Sequence, residues 1–496
     1  METLYHSTRS NTETYTSKRA ILTGIAPDGG LFVSDQISRT SLDLTVVCGN
    51  DYHANARLVL GTLLPDYTPD EIASCVEGAY GSQWDTHAIT PLTPLGNDWL
   101  LELYHGPTCA FKDVALQMLP RLMSAARHTA GGGRNVMILT ATSGDTGKAA
   151  LDGFADVEGT GVTVFYPDGK VSDVQRLQMV TQRGGNVAVC GIRGNFDDAQ
   201  TGVKKIFSDP EVAARLLANN TVLSSANSIN VGRLVPQVTY YFDAYAQLVR
   251  AGAVAQGDPI DFCVPTGNFG DVLAGFYAKQ IGLPVGKLIV ASNANNVLTD
   301  FITTGTYDRR RPFHKTISPS MDILVSSNLE RLLYYLSGGD CELVAAYMRD
   351  LSQTGAYTVS SDMMEKLRQT FDCGFADDDA TRRTIHTTWD ELGVLIDTHT
   401  AVGKAVVDAR ASEGRPRVCL STASPYKFSS DVLAALGANT QGMDGFACMD
   451  ELARRTGTVA PAQLSGLRDA AELHTDVCDQ DKMCAFVESA CARVFS

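Results

Sequence analysis

Lys112 stands in HGPTCAFKDVALQML (105–119), with Ala110, Phe111, Val114 and Leu116 around it. Apolar surroundings disfavour an ammonium, and the neutral amine that results is a nucleophile able to form an imine with a carbonyl. The alternative is a surface lysine whose stem packs while its head reaches water, and residue types alone favour that one. Two glycine loops offer something to go with such an amine. In PTGNFGD (265–271) an apolar run stops, two glycines follow and a helical pattern begins. Glycine allows close backbone approach, and the free N–H groups of a helix start point at a bound anion. The spacing is neither that of a P-loop, which needs a Lys-Ser/Thr pair after the second glycine, nor GxGxxG. An ordinary strand–helix turn fits equally well. In TATSGDTGKAAL (140–151) the hydroxyls of Thr140, Thr142, Ser143 and Thr146 surround Gly144 and Gly147. They suit a carboxylate or phosphate oxygen, or, more simply, Ser143 or Asp145 caps a helix.

The composition narrows the class. The chain has 496 residues, 44% hydrophobic and 20% charged, which is a soluble protein of two or three cores. No run approaches the ~20 apolar residues of a membrane helix. METLYHSTRSNTETY has no basic segment leading into an apolar one, so a cytoplasmic protein is expected. Twelve cysteines are scattered without a CxxC pair and read as reduced thiols. Nine histidines include no HxxxH or HxH pair, so no metal site is expected. A net charge of -15 argues against nucleic acid as a partner. Lys170, Arg176, Arg183, Arg193, Lys204, Lys205, Arg215 and Arg233 nevertheless concentrate between residues 170 and 233. They form either a solvated surface or a pocket for a small anion.

The elements that must hold these residues are visible as apolar runs: NVMILTAT (135–142), GVTVFYP (161–167), NVAVCGI (186–192), DFCVPT (261–266), KLIVASNA (287–294) and RVCLST (417–422). Continuous apolar strands between helical patterns predict parallel sheets covered on both faces, an α/β architecture with more than one such unit. Residues 1–92 lack the rhythm and read as a separate N-terminal region. Residues 93–255 are expected to form one α/β domain and 256–496 a second. LERLLYYL, CELVAAYMRDL and DMMEKLRQTF mark a helical insertion near 305–395.

Together these loops resemble the tryptophan-synthase-β-like class, fold type II, of pyridoxal-phosphate enzymes. Within it the chain is similar to the threonine synthase family over almost its whole length. STR (7–9), GIAPDGGLFV (24–33), GPTCAFKD, TATSGDTG, YPDGKVSDVQRLQM (166–179), NSINVGRLVPQVTYYF (227–242), GNFGD, ASNANNVL (291–298), SPSMDILVSSNLER (318–331), DTHTAVG (397–403) and STASPYKF (421–428) carry the likeness. Two positions depart from it. Ser424 stands where the family often has a histidine, and Asp145 where the wider class carries asparagine.

The resemblance implies pyridoxal 5'-phosphate as cofactor and conversion of O-phospho-L-homoserine and water into L-threonine and phosphate. Lys112 would carry the cofactor as an imine and then act as mobile base and acid. Gly267, Asn268, Phe269, Gly270 and Asp271 would surround the cofactor phosphate, mainly through backbone N–H groups. Thr422 would face the pyridine nitrogen. Ser143, Asp145 and Thr146 would lie around the substrate carboxylate and the cofactor ring. Lys170, Ser172, Asn230 and Arg233 would bind the substrate phosphate, unless Ser172 caps a helix and Arg233 pairs with an acid. His399 is expected to be a hydrogen-bonded structural histidine. Two other readings stand beside this one. The first is a phospho-lyase on the same scaffold that releases 2-oxobutyrate, and the second is a non-catalytic relative that binds metabolites. No membrane partner is expected, and the oligomeric state is left open.

Overall fold

The computed structural model describes residues 4–496 apart from Ser143 and Ser412. The apolar runs form two sheets. In the smaller, the strands run Asp476–Cys478, Val187–Ile192, Thr160–Pro167, Asn135–Ala141, Thr221–Ser224 across the sheet, all parallel. In the larger, the order is Phe371–Phe375, Val285–Ser292, Ile260–Pro265, Arg417–Ser421, Asp98–Glu102, Leu92–Leu95. Only the last pair there is antiparallel. Thr160–Pro167, Val187–Ile192 and Ile260–Pro265 are buried at every residue, as unbroken apolar runs with helices on both faces must be. Helix Val231–Arg250 is buried nearly all round and packs against helices Tyr52–Leu63 and Gly270–Gln280, so it is a core element rather than a surface one.

The two sheets do not divide at residue 255. The hairpin Leu92–Leu95/Asp98–Glu102 pairs with Arg417–Ser421 in the larger sheet, and Asp476–Cys478 returns to edge the smaller. Strand partners are chosen by register between distant segments, which a boundary placed along the chain does not express. The N-terminal region has its own three-stranded antiparallel sheet, Tyr5–Ser7, Ser10–Tyr15 and Phe32–Val33. The stretch 305–395 is mostly helical: Leu329–Leu336, Cys341–Gln353, Ser361–Thr370 and Asp378–Leu392. It also holds a short ribbon, Thr306–Asp308 with Ala356–Thr358, and the edge strand Phe371–Phe375. All twelve cysteines are free thiols. No helix among the described residues is long and apolar enough to cross a membrane.

Candidate active site

Lys112 opens helix Lys112–Leu116, and the turn before it is fastened on three sides. Asp113 accepts the Thr108 N–H at 2.8 Å and the Thr108 hydroxyl at 2.5 Å. Lys427 Nζ donates to the Thr108 carbonyl at 2.9 Å. The Phe111 N–H donates to the Thr422 carbonyl at 2.9 Å and the Ser424 N–H to that of Cys109 at 3.0 Å. The end of strand Arg417–Ser421 thus sets the lysine's position.

Lys112 Nζ, itself buried, donates to Asp145 Oδ2 at 3.2 Å and to Ser320 Oγ at 3.3 Å. Burial lowers its pKa; Asp145 opposes the shift, while Lys427 and Arg233 add to it. Burial alone would raise the pKa of Asp145. Lys427 Nζ at 2.9 Å and Lys112 outweigh that and hold its carboxyl well below the usual carboxylate range. The site therefore contains an amine whose charge burial disfavours beside a carboxylate that stays ionised.

Asp145 begins helix Asp145–Phe154, entered through Gly144 at φ 155° and ψ −97°, a conformation that only glycine adopts without strain. A side chain there would also meet Gln175 Nε2 at 2.5 Å. Thr142 Oγ1 accepts the Gly147 N–H in the helix's first turn at 3.1 Å and the Gly144 N–H at 3.0 Å, while none of the described residues accepts from the N–H of Asp145 or Thr146. Thr146 is half-buried at its start, and Ser143 lies outside the described residues.

The second loop is more open. Helix Gly270–Gln280 follows Phe269, which is in the left-handed region at φ 63° and has no side-chain cap bond. Among the described residues, none accepts a hydrogen bond from the backbone N–H of Gly267, Asn268, Phe269, Gly270 or Asp271. Such a run of unpaired amides beside a helix start is a nest for an anion. The side chains here serve the fold. The Phe269 ring packs on Phe371, and the Asp271 carboxylate points into the core, accepting from Tyr240 at 2.5 Å and Tyr241 at 2.9 Å. Burial outweighs those two donors and pushes Asp271 up to about 6. Asn328 donates its N–H (3.1 Å) and Nδ2 (3.0 Å) to the Asn268 carbonyl. The fully buried Arg331 holds Asn328 in turn, bonding its Oδ1 at 2.5 Å, the Ile229 carbonyl at 2.5 Å and that of Phe32 at 2.9 Å. A Cβ on Gly267 would lie 2.9 Å from the Ser320 carbonyl oxygen, so Ser320 touches both this loop and Lys112. Thr422 is buried nearby, and its hydroxyl has no hydrogen-bond partner among the described residues.

The four residues expected around a second phosphate part company. Asn230 is fully buried and caps helix Val231–Arg250: its Oδ1 accepts the Gly232 N–H at 2.9 Å and its Nδ2 donates to the Ile21 carbonyl at 3.0 Å. Arg233, one turn on, is buried with no carboxylate partner among the described residues. Nη1 donates to the Ala226 carbonyl at 2.9 Å, Nε has no partner, and burial presses its pKa down to about 10. Ser172 caps helix Asp173–Val180 and is exposed, as is Lys170. Ser320, Asn328, Arg331 and Lys427 were visible in the sequence only as members of motifs. A buried lysine or arginine looks like a surface one until its partners are known.

The family description "Pyridoxal-phosphate dependent enzyme" matches residues 85–423, "Threonine synthase N terminus" matches 4–80, and "Threonine synthase, C-terminal" matches 400–487. Human threonine synthase-like 1 is 40% identical over 429 residues; the alignment covers 84% of this chain but only 57% of that protein's length. Threonine synthase of Pseudomonas aeruginosa is 40% identical over 432 residues, covering 86% of this chain and 89% of the relative. The crystal structure of pyridoxal-phosphate-bound threonine synthase from Brucella melitensis superposes with a TM-score of 0.89 at 36% identity, covering 100% of both chains. On these matches the chain belongs to the threonine synthase family of pyridoxal-phosphate-dependent enzymes.

Proposed function

We propose that this chain, working in the cytoplasm, converts O-phospho-L-homoserine and water into L-threonine and phosphate. The observation that carries the reading is Lys112, a buried amine linked through Ser320 to the open amides of Gly267–Asp271. The residues fit pyridoxal phosphate. Among the described residues five unpaired amides suit its phosphate and the Thr422 hydroxyl has no partner, and burial lowers the pKa of the lysine amine that its aldehyde would meet. When bound, the cofactor supplies an electron sink that makes protons at Cα and then Cβ of an amino acid removable.

The chain's own residues divide the remaining work. Lys112 Nζ carries the cofactor at rest and then takes and returns protons at the substrate carbons. Asp145, held ionised between Lys112 and Lys427, keeps a negative charge against that nitrogen and would lie beside the bound cofactor. Thr422 would offer the cofactor ring nitrogen a neutral hydroxyl, which does not favour a charged ring as a carboxylate would. Ser143 and Thr146, at the start of helix Asp145–Phe154, hold the substrate carboxylate. Arg233 brings a guanidinium without an acid of its own to the substrate phosphate, and Lys170 and Ser172 approach it from the surface. Asn230 contributes by capping the helix that carries Arg233.

The test is product analysis with O-phospho-L-homoserine. Threonine and phosphate in equal amounts are expected. Release of 2-oxobutyrate would favour the phospho-lyase, and binding without turnover the metabolite-binding relative. Borohydride treatment followed by peptide mapping should fix the cofactor on Lys112; an adduct on another lysine would sink the assignment.

A further inference from the structure

Ser320 makes a separate contact with each of three polar atoms. Its hydroxyl accepts from Lys112 Nζ at 3.3 Å and donates to Asp145 Oδ2 at 3.2 Å. Its carbonyl oxygen is the atom that keeps Gly267 a glycine. Its N–H donates to His399 Nε2 at 3.1 Å. That last bond defines the histidine's tautomer, because Nε2 must be an acceptor and Nδ1 therefore carries the proton. Nδ1 faces Asp397 Oδ2 at 2.7 Å, and the same carboxylate oxygen accepts the His399 N–H at 2.8 Å. Asp397 and His399 are both buried, and the His399 ring lies against Phe428 with centroids 4.8 Å apart. The other Asp397 oxygen binds Thr400, whose hydroxyl is 3.0 Å from Ser421 Oγ, the residue before Thr422.

We infer that Asp397 and His399 are positioning residues for Lys112, acting through Ser320. The arrangement differs from a hydrolase triad, since the histidine receives a backbone N–H and not the serine hydroxyl. It fixes where the hydroxyl sits, and the hydroxyl fixes where the lysine nitrogen points and which protonation state it prefers. A hydroxyl that accepts from Nζ favours the protonated nitrogen. The other charged groups that bear on Nζ are Asp145, Lys427 and Arg233; none hydrogen-bonds or ion-pairs with His399, which acts on Asp145 only by a minor electrostatic effect.

The inference rests on Lys112 being the cofactor lysine, and the experiment separates the two. In the cofactor-loaded full chain, the pH midpoint of the cofactor absorbance change reads the nitrogen attached to it. Ser320→Ala should lower that midpoint by roughly half to one pH unit, the size of one net hydrogen bond. His399→Leu should lower it equally, and the double variant no further, since one residue acts only through the other. His399→Gln, whose side-chain oxygen can accept the Ser320 N–H, should stay near the native midpoint. Should His399→Leu fail to fold, His399→Asn reaches Asp397 but not Ser320 and carries the same expectation. A native midpoint in His399→Leu or His399→Asn beside a shifted one in Ser320→Ala would reduce His399 to a packing residue. Additive shifts in the double variant would equally overturn the relay. Mapping of the cofactor to another lysine would instead remove the site reading itself.

Discussion

Two kinds of helix start occur within this molecule. Val231–Arg250 and Asp173–Val180 begin with a side chain of the chain itself, Asn230 and Ser172, bonded to their first amides. Asp145–Phe154 has Thr142 on its third amide, whereas Gly270–Gln280 begins with no such bond among the described residues. The first N–H groups of a helix need an acceptor, so a self-capped start has little left for a ligand and an uncapped one has several donors to offer. The open start belongs to the loop that Ser320 ties to Lys112. Residue type alone misleads here. Asn230 looks like a phosphate ligand in the sequence, and in the fold its polar atoms serve the backbone.

The comparison breaks most easily at Gly267. A methyl group there meets backbone on both counts, 2.9 Å from the Ser320 carbonyl oxygen and 3.2 Å from Met321 Cα, so no side chain can swing away. At Gly270 the nearest atom is Asn328 Nδ2 at 3.5 Å, an ordinary contact. Overpacking against backbone costs about 1–3 kcal/mol and moves the amides besides. Gly267→Ala should therefore weaken cofactor binding by roughly a hundredfold or more, while Gly270→Ala changes it a few-fold at most. Equilibrium titration with pyridoxal phosphate decides; equal losses at both would mean that the 319–321 turn does not shape the loop.

Asp271 tests the open start from below. Its folded pKa of about 6 lies above the ordinary 3.8, so the folded state holds this proton more tightly than the unfolded chain does. The group's contribution is complete below pH ~4 and is lost as pH rises through about 6, up to roughly 3 kcal/mol. Asp271→Asn should flatten that part of the stability profile between pH 4 and 6, read as the difference from the native chain in urea melts. Identical slopes would show that the two tyrosines already hold a full carboxylate.

The strands and the two glycine loops were legible because unbroken apolar runs and glycine at a strand end are local signals. Even His399 was legible as a hydrogen-bonded histidine, though the resemblance gave no hint of what lies at its Nε2. The sheet boundaries were not, since the pairing of Asp98–Glu102 with Arg417–Ser421 joins segments far apart in the chain. Nor was Lys427. In STASPYKF it has the look of any solvated lysine, yet its side chain is 1% exposed and it holds both Asp145 and Thr108.

Arg233 and Asn230 sharpen the contrast within a single helix turn. Arg233→Leu removes a buried cation that has no acid partner, so stability should hold while kcat/KM for the phosphorylated substrate drops roughly ten- to hundredfold. Asn230→Ala removes a cap and should cost about 1 kcal/mol of stability, with kcat/KM measured well below the melting temperature close to native. Swapped outcomes would make Asn230 the ligand and Arg233 the structural residue.

Lys170 should show the smallest effect, and its interest lies in the salt dependence. It is exposed in the turn before helix Asp173–Val180, whose Gln175 reaches the Gly144 loop. An exposed cation attracts a dianion over distance but holds it weakly, since side-chain entropy and counterions both work against a fixed pair. Lys170→Ala should therefore lower kcat/KM by about threefold or less at low ionic strength, and the difference should vanish near 1 M salt, where the Debye length is ~3 Å. The loss in Arg233→Leu should survive the same salt, because a buried guanidinium is poorly screened. If the Lys170→Ala defect were instead large and indifferent to salt, Lys170 would have to fold over the bound substrate. The phosphate would then be held by a closing surface turn as much as by the helix behind it.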